Sequence, residues 1–128
     1  NALAVLDGVD EGKFALAQNV PIRKQELLPD LWSPLREENP DGGSFPISKL
    51  LRYAVSQSDN VACDALLRVL GGPQIVEAYI RSKGINDIAL TINEETMQER
   101  WENMFLNWTT PKAASQTLKK FYDRDNPI

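Results

Sequence analysis

The tripeptide Ser58-Asp59-Asn60 places a hydroxyl, a carboxylate and a carboxamide side by side. A serine hydroxyl can pass a proton to a departing nitrogen, and a carboxamide can both donate to and accept from an amide of a bound molecule. The same residue types are common at helix starts, where they satisfy free backbone N–H groups. Asp59 is assigned to that structural role, whereas Ser58 and Asn60 remain candidates for either role on residue type alone.

The composition removes several kinds of chemistry from this chain. The sequence contains no histidine, so neither a Ser-His-Asp nor a Cys-His arrangement can form within it, and a zinc site lacks its usual ligands. No metal and no cofactor are predicted. The single cysteine, Cys63, lies in an apolar stretch and is interpreted as a small core residue, not as a reactive thiol.

Charge and hydropathy limit the kinds of partner that this chain can bind. The net charge of -4 and the pI near 4.8 argue against a nucleic acid or an anionic membrane as a partner, because both require a basic surface. No apolar run approaches the roughly 20 residues needed to cross a bilayer. The 128 residues are enough for one domain with its own core.

Helical periodicity predicts the elements that must position these side chains. One amphipathic helix is predicted from Pro46 to Val55, and a second, apolar on nearly every side, from Asp59 or Asn60 to Leu70. The second helix should be central and buried. End signals predict further helices at 3–9, from Pro73 to Lys83-Gly84, and from Thr110-Pro111 onward with Ala114, Leu118 and Phe121 facing inward.

Two stretches lack this regular pattern. Repeated prolines from Asn19 to Gly43 predict a long connection, and no hairpin signal is present, so the predicted fold class is all-α. The stretch from Asp87 to Thr109 carries four glutamates among aromatic residues. It is expected to form a short helix or a self-packed loop of the Ω type.

Several motifs together resemble a class A serine β-lactamase. The block from Tyr53 to Asp64 is similar to a family block, and Asn93-Glu94 followed by Asn107-Trp108-Thr109 resembles the Ω loop of the extended-spectrum subgroup that includes the PER and VEB enzymes. Glu94 lies 36 positions after Ser58 (94 − 58), the spacing that the family motif requires between its relay hydroxyl and its Ω-loop base. That spacing favours Glu94 over Glu95. Further matches are Trp32 with Pro34 and the run Leu70-Gly71-Gly72-Pro73.

The resemblance implies roles for three side chains in the chemistry. Ser58 would relay a proton to the β-lactam nitrogen, and Asn60 would bind the side-chain amide of the substrate. Glu94 would deprotonate the water that hydrolyses the acyl-enzyme. The substrate would therefore be a β-lactam.

Three more residues take supporting roles by resemblance. Trp32 would line the entrance of the site. Gln98 stands where most members place an asparagine that helps to position the hydrolytic water. Asn107 would hold the neck of the Ω loop through neutral hydrogen bonds, because the usual arginine of the neck is replaced near Ile92.

Two family motifs do not occur in the chain. No serine is followed three positions later by lysine, and no Lys-Thr-Gly is present. Residues 1–128 are therefore interpreted as the helical domain of the serine β-lactamase and penicillin-binding-protein fold, separated from an α/β domain and inactive alone. Native sequence is expected upstream. The separated domain is expected to expose an apolar face that forms a dimer or a swap, and the resemblance implies a periplasmic or secreted location.

Two other functions stay open at this point. A penicillin-binding transpeptidase shares the Ser-x-Asn pattern but lacks the water-activating glutamate, so it predicts Glu94 far from Ser58. A non-catalytic helical interaction domain predicts that Ser58, Asn60 and Glu94 do not converge.

Overall fold

A computed structural model describes residues 1–122, except for the side chain of Phe121. The predicted inward position of Phe121 therefore lies outside the described residues. The α-helices are α1 Ala2–Asp10, α2 Pro34–Glu38, α3 Ile47–Ser56, α4 Asn60–Leu70, α5 Pro73–Ser82, α6 Glu94–Glu99 and α7 Pro111–Tyr122. The strands are β1 Asn19–Arg23, β2 Gly42–Pro46, β3 Ile88–Ala89 and β4 Trp108–Thr109, and short 3₁₀ helices span Lys24–Glu26 and Trp101–Phe105.

Helix α4 lies at the centre, as its apolar sequence predicts. Asp59 is its N-cap, and the Asp59 carboxylate accepts the Ala62 N–H at 3.0 Å. Gly71 ends the helix with φ at 103°, a left-handed conformation that is cheap only for glycine. The side chains of Ala65 and Leu66 are fully buried. The start of α4 is thus fixed by both capping and packing.

The other helices bury their apolar faces around α4. Helix α3 contributes Ile47, Leu50 and Tyr53, spaced one turn apart, to the main core, and α1 contributes Val5. Full burial of each such side chain stabilises the fold by roughly 1.5–3 kcal/mol. A smaller core is built from Leu3, Leu67, Val76, Ile80, Ile85 and Ala113. Within residues 1–122, no helix is both long and apolar enough to cross a membrane.

The fold is mainly helical, but the expectation of no strands is wrong. Strands β1 and β2 pair antiparallel, with Val20 opposite Phe45 and Ile22 opposite Gly43, and β3 pairs with β4 in the same sense. The β1–β2 pair packs Val20, Ile22 and Phe45 into the main core. Gly42 has φ at 82°, and a Cβ there would lie 2.4 Å from the Ile22 carbonyl oxygen. Glycine is therefore required where the second strand begins.

Helix α7 begins as predicted but faces a different way. Thr110 caps it, because its hydroxyl oxygen accepts the Ala113 N–H at 3.1 Å. Ala113 is buried, Ala114 is partly buried, and Leu118 is 71% exposed. The predicted inward position of Leu118 is therefore wrong, because the buried stripe starts one residue earlier, at Ala113.

Candidate active site

Asp59 joins two loops through its buried side chain, which is 1% exposed. Its carboxylate accepts the Ser33 hydroxyl at 2.9 and 3.1 Å, the Leu35 N–H at 2.7 Å and the Ala62 N–H at 3.0 Å. A buried carboxylate costs several kcal/mol unless such donors replace its water shell. Asp59 therefore connects the start of α2 to the start of α4 through hydrogen bonds.

Ser58, the residue before Asp59, has an unusual backbone conformation. Its φ is 52°, and among residues 1–122 it is the one non-glycine residue with positive φ. The N–H groups of its neighbours Gln57 and Asp59 both donate to the Tyr53 carbonyl, at 3.2 and 3.1 Å. The Ser58 side chain is exposed, and in the described part of the chain its hydroxyl forms no hydrogen bond. The hydroxyl is therefore held at the surface by backbone contacts of its neighbours.

Asn60 and Trp32 are connected across the same junction. The Trp32 carbonyl accepts the Asn60 backbone N–H at 3.1 Å and its Nδ2 at 3.0 Å. The Trp32 indole Nε1 donates to the Gln57 carbonyl at 3.0 Å, although the side chain is 64% exposed. These bonds leave the Asn60 Oδ1 and one Nδ2 hydrogen for another molecule.

Asp64 docks the acidic helix α6 onto α4. Its carboxylate oxygens accept the backbone N–H groups of Glu94 at 2.8 Å and Glu95 at 3.0 Å. Asn93 caps α6 by accepting the Thr96 N–H at 2.8 Å. Because Asn60 and Asp64 are four positions apart in α4, their side chains lie on one face of the helix. The first residue of α6, Glu94, is thus hydrogen-bonded through its backbone N–H to α4, one turn after Asn60.

Burial and the charges of neighbouring carboxylates raise the pKa values of the Glu94 and Asp64 carboxyl groups. Burial first, and then the Asp64 charge, raise the pKa of Glu94. Burial also raises the pKa of Asp64, while the backbone N–H groups of Glu94 and Glu95 oppose that shift. A glutamate with a raised pKa is a stronger base once it has lost its proton.

Gln98 and Glu95 lie on the outer face of α6. With Leu31 and Asp30 they line a cleft of about 200 Å³ between α6 and the loop 28–31, which lies before α2 in the sequence. The side chain of Gln98 is exposed there. The structure therefore separates the two neighbouring glutamates, because Glu95 lines this open cleft whereas Glu94 is partly buried beside Asp64.

Asn107 closes the neck of the loop that carries α6. Its Oδ1 accepts the N–H groups of Thr91 at 2.8 Å and Ile92 at 3.2 Å, and its Nδ2 donates to the Ile92 carbonyl at 2.9 Å. The Thr91 hydroxyl adds a bond to the Leu106 carbonyl at 3.1 Å. All four are hydrogen bonds between neutral groups. Among the described residues, no group of three metal-binding side chains is present.

Sequence reasoning gave no role to Asp64 or to Ser33. Asp64 is a carboxylate within an otherwise apolar helix, one turn after Asn60, and that position was a usable signal. Ser33 gave a weaker signal, as a helix N-cap before Pro34.

The chain is similar to known β-lactamases over nearly its whole length. Residues 1–126 match the model of the β-lactamase enzyme family. The chain is 39% identical to β-lactamase VEB-1 and 41% identical to extended-spectrum β-lactamase PER-1, both from Pseudomonas aeruginosa, over 99% and 94% of its length. A solved class A β-lactamase from Bacteroides cellulosilyticus superposes with a TM-score of 0.88 at 34% identity, over 96% of this chain and 44% of that one.

The chain therefore belongs to the β-lactamase enzyme family, and its relatives are class A β-lactamases. The resemblance to the PER and VEB enzymes is confirmed. The chain spans 42% of the length of VEB-1 and 39% of that of PER-1.

Proposed function

We propose that the intact protein containing this chain hydrolyses β-lactam antibiotics through a serine acyl-enzyme. The observation that carries the proposal is the contact of Asp64 with the Glu94 and Glu95 N–H groups, one turn along α4 from Asn60. This contact ties the start of α6 to the helix that carries Asn60, and in the proposal it brings the partly buried Glu94 carboxylate to act together with the Ser58 hydroxyl and the Asn60 carboxamide. Such a set suits proton transfer during both formation and breakdown of an acyl-enzyme.

Each residue takes a separate step in this proposal. A serine elsewhere in the intact protein loses its hydroxyl proton as it attacks the β-lactam carbonyl. That proton reaches the ring nitrogen through the Ser58 hydroxyl, which accepts one proton and passes on another as the amide bond breaks. Asn60 binds the acylamino side chain of the substrate through its remaining amide groups. Glu94 then takes a proton from the water that attacks the ester carbonyl, and this proton returns to the serine oxygen as the ester bond breaks, which leaves Glu94 again as a carboxylate.

Three supporting residues complete the proposed site. Trp32 lines the entrance with its exposed indole ring. Gln98 helps to position the hydrolytic water through a carboxamide one methylene longer than asparagine. Asn107 keeps the loop that carries Glu94 closed at its neck. The helical domain packs on an α/β domain supplied by the rest of the protein, and export to the periplasm is part of the same proposal.

The position of Glu94 favours this function over the other two. A transpeptidase needs no water base beside the Ser-x-Asn segment, and an interaction domain needs no partly buried glutamate there. In the proposed function, the bonds from Asp64 to the start of α6 hold the Glu94 carboxylate where it can act on a water near the end of α4.

The test is a comparison of Glu94→Gln with Glu95→Gln in the intact protein. We expect Glu94→Gln to slow hydrolysis of nitrocefin by roughly 10²–10⁴-fold, the usual contribution of a positioned general base, and to leave the acyl-enzyme visible by mass spectrometry. Glu95→Gln should hydrolyse nitrocefin within a few fold of the unaltered protein. Undiminished turnover by Glu94→Gln, or an equal loss in both variants, contradicts the proposal.

The 128-residue chain alone serves as the negative control. It contains no serine with a lysine three positions later, so we expect neither turnover nor an acyl adduct. Serine-dependent nitrocefin hydrolysis by this polypeptide would show that the nucleophile lies within it.

A further inference from the structure

The backbone of Ser58 needs an external support. A positive φ places the Cβ of a non-glycine residue in an unfavourable position, which costs of the order of one hydrogen bond. Rotation of the Gln57–Ser58 peptide plane by half a turn would remove that cost, because it changes φ of Ser58 while leaving the rest of the chain in place. The observed conformation at 52° therefore requires a contact that prevents the rotation.

That contact is the indole of Trp32. The carbonyl oxygen of the Gln57–Ser58 plane accepts the Trp32 Nε1 hydrogen at 3.0 Å. The bonds from Gln57 and Asp59 to the Tyr53 carbonyl involve the planes on either side, so they do not fix this one. Within the described residues, Trp32 provides the hydrogen bond that holds the plane preceding Ser58.

The backbone of Trp32 is itself fixed by hydrogen bonds to the start of α4. Its carbonyl accepts two hydrogen bonds from Asn60, and the next residue, Ser33, is bonded to the buried Asp59. The indole is thus attached to a backbone that is fixed to the two residues following Ser58, Asp59 and Asn60. This explains how a side chain that is 64% exposed can act as a rigid support.

We infer that Trp32 is a positioning residue for Ser58: its indole N–H holds the Gln57–Ser58 peptide plane and thereby keeps the Ser58 hydroxyl at the end of α4. This role is additional to lining the entrance, which requires only an aromatic surface. The consequence for catalysis rests on the proposed function, because it assumes that Ser58 relays a proton during acylation.

The variant that separates the two roles is Trp32→Phe, which keeps an aromatic ring and removes the N–H. Backbone ¹⁵N relaxation and the ¹³Cα shift of Ser58 are compared in the intact protein. We expect a lower order parameter and a displaced shift for Ser58 in Trp32→Phe. Trp101→Phe is the matched control, since Trp101 is 70% exposed and lies in another loop. An unchanged Ser58 signal in Trp32→Phe overturns the inference.

Kinetics then test the catalytic consequence. The acylation rate constant should fall by about three- to tenfold in Trp32→Phe, the effect of one neutral hydrogen bond, while deacylation stays unchanged. Added to Ser58→Ala, Trp32→Phe should cause no further loss, because it acts through the Ser58 hydroxyl. A rise in KM alone, or full additivity with Ser58→Ala, contradicts this. Absence of any acyl-enzyme in Glu94→Gln would overturn the proposed function, while the relaxation data still decide the position of Ser58.

Discussion

Asp64 acts on Glu94 in two ways. Its carboxylate holds the start of α6 through two backbone N–H groups, which fixes where Glu94 lies. Its charge also contributes to the raised pKa of Glu94, after the larger effect of burial. The same contact therefore positions the proposed base and adjusts its acidity.

Substitution Asp64→Asn separates these effects. The amide oxygen can still accept the Glu94 N–H, but the like charge is removed, so the pKa of Glu94 should fall while burial keeps it above its ordinary value of 4.5. A general base works only when deprotonated, so the acidic limb of the deacylation rate should move to lower pH. Stability should decrease by about 1 kcal/mol, because the Glu95 N–H loses its acceptor.

Deacylation of a preformed acyl-enzyme is followed across the acidic range for this comparison. The exposed Asp30, on the opposite side of the cleft, supplies the control Asp30→Asn, which should leave the limb in place. A limb that stays fixed or moves upward in Asp64→Asn would show that the Asp64 charge does not act on Glu94.

Sequence reasoning reached some of these residues and missed others for physical reasons. The cap at Asp59 follows from local chemistry, because an N-cap contacts N–H groups only a few residues away. The bond from Trp32 to the Gln57 carbonyl joins residues 25 positions apart. No local pattern encodes that contact, because it depends on how two loops pack.

At the scale of elements, the loop from Thr91 to Asn107 closes on itself. Asn107 satisfies both backbone N–H groups and one carbonyl of the opposite side of the neck. Helix α6 lies inside this closed loop and is also docked on α4 through Asp64. The position of α6 therefore depends on two sets of hydrogen bonds, those of Asn107 at the neck of the loop and those of Asp64 at the start of the helix.

Substitution Asn107→Ala should open the neck without removing the dock. We expect hydrogen exchange of the Thr91 and Ile92 amides to accelerate by roughly 10–100-fold, because two or three neutral hydrogen bonds of about 1 kcal/mol each are lost. Deacylation should slow more than acylation, since the loop carries Glu94. Asn86→Ala, at an exposed position outside the loop, is the matched control. Equal exchange rates in both variants would show that the neck is closed by other contacts.

The longer helices were predictable from sequence, whereas the strands and the short helix α2, which lies in the stretch predicted to be a long connection, were not. Helix α4 has its cap, its apolar pattern and its glycine stop within one continuous segment, so local signals suffice. Strand β1 alternates buried Val20 and Ile22 with exposed residues, but it is only five residues long and contains Pro21. Its partner β2 begins at Gly42, after helix α2, so no turn signal joins the two strands.

At the scale of the whole molecule, the ionisation of the Cys63 thiol links the stability of the fold to the carboxylates of the candidate site. It is the single cysteine of the chain, and it is partly buried in α4, next to Asp64. Burial first, and then the charges of Glu94 and Asp64, raise the pKa of its thiol from 9.0 to about 12. The folded protein therefore keeps the thiol protonated in a range where the unfolded chain would lose that proton, which is consistent with an unreactive core residue.

This difference predicts a specific loss of stability in alkali. Because the folded pKa is raised, the contribution of Cys63 is fully present below pH 9 and is lost as the pH rises toward about 12. At pH 10 the loss should be about 1 kcal/mol, close to the value expected for one pH unit. The pKa of Tyr53 is raised from 10.0 to about 12, so Tyr53 adds a loss of stability that begins near pH 10 and that substitution of Cys63 leaves untouched.

Urea unfolding of the intact protein at pH 7 and pH 10 measures this effect. Cys63→Ala and Cys63→Ser should both lose about 1 kcal/mol less than the unaltered protein between the two pH values. Their absolute stabilities should differ, because one variant leaves a small cavity and the other buries a hydroxyl. That difference cancels when each variant is compared with itself at the two pH values. Equal losses in all three proteins would show that the thiol titrates alike in the folded and unfolded states, and that the neighbouring carboxylates Asp64 and Glu94 do not act on it.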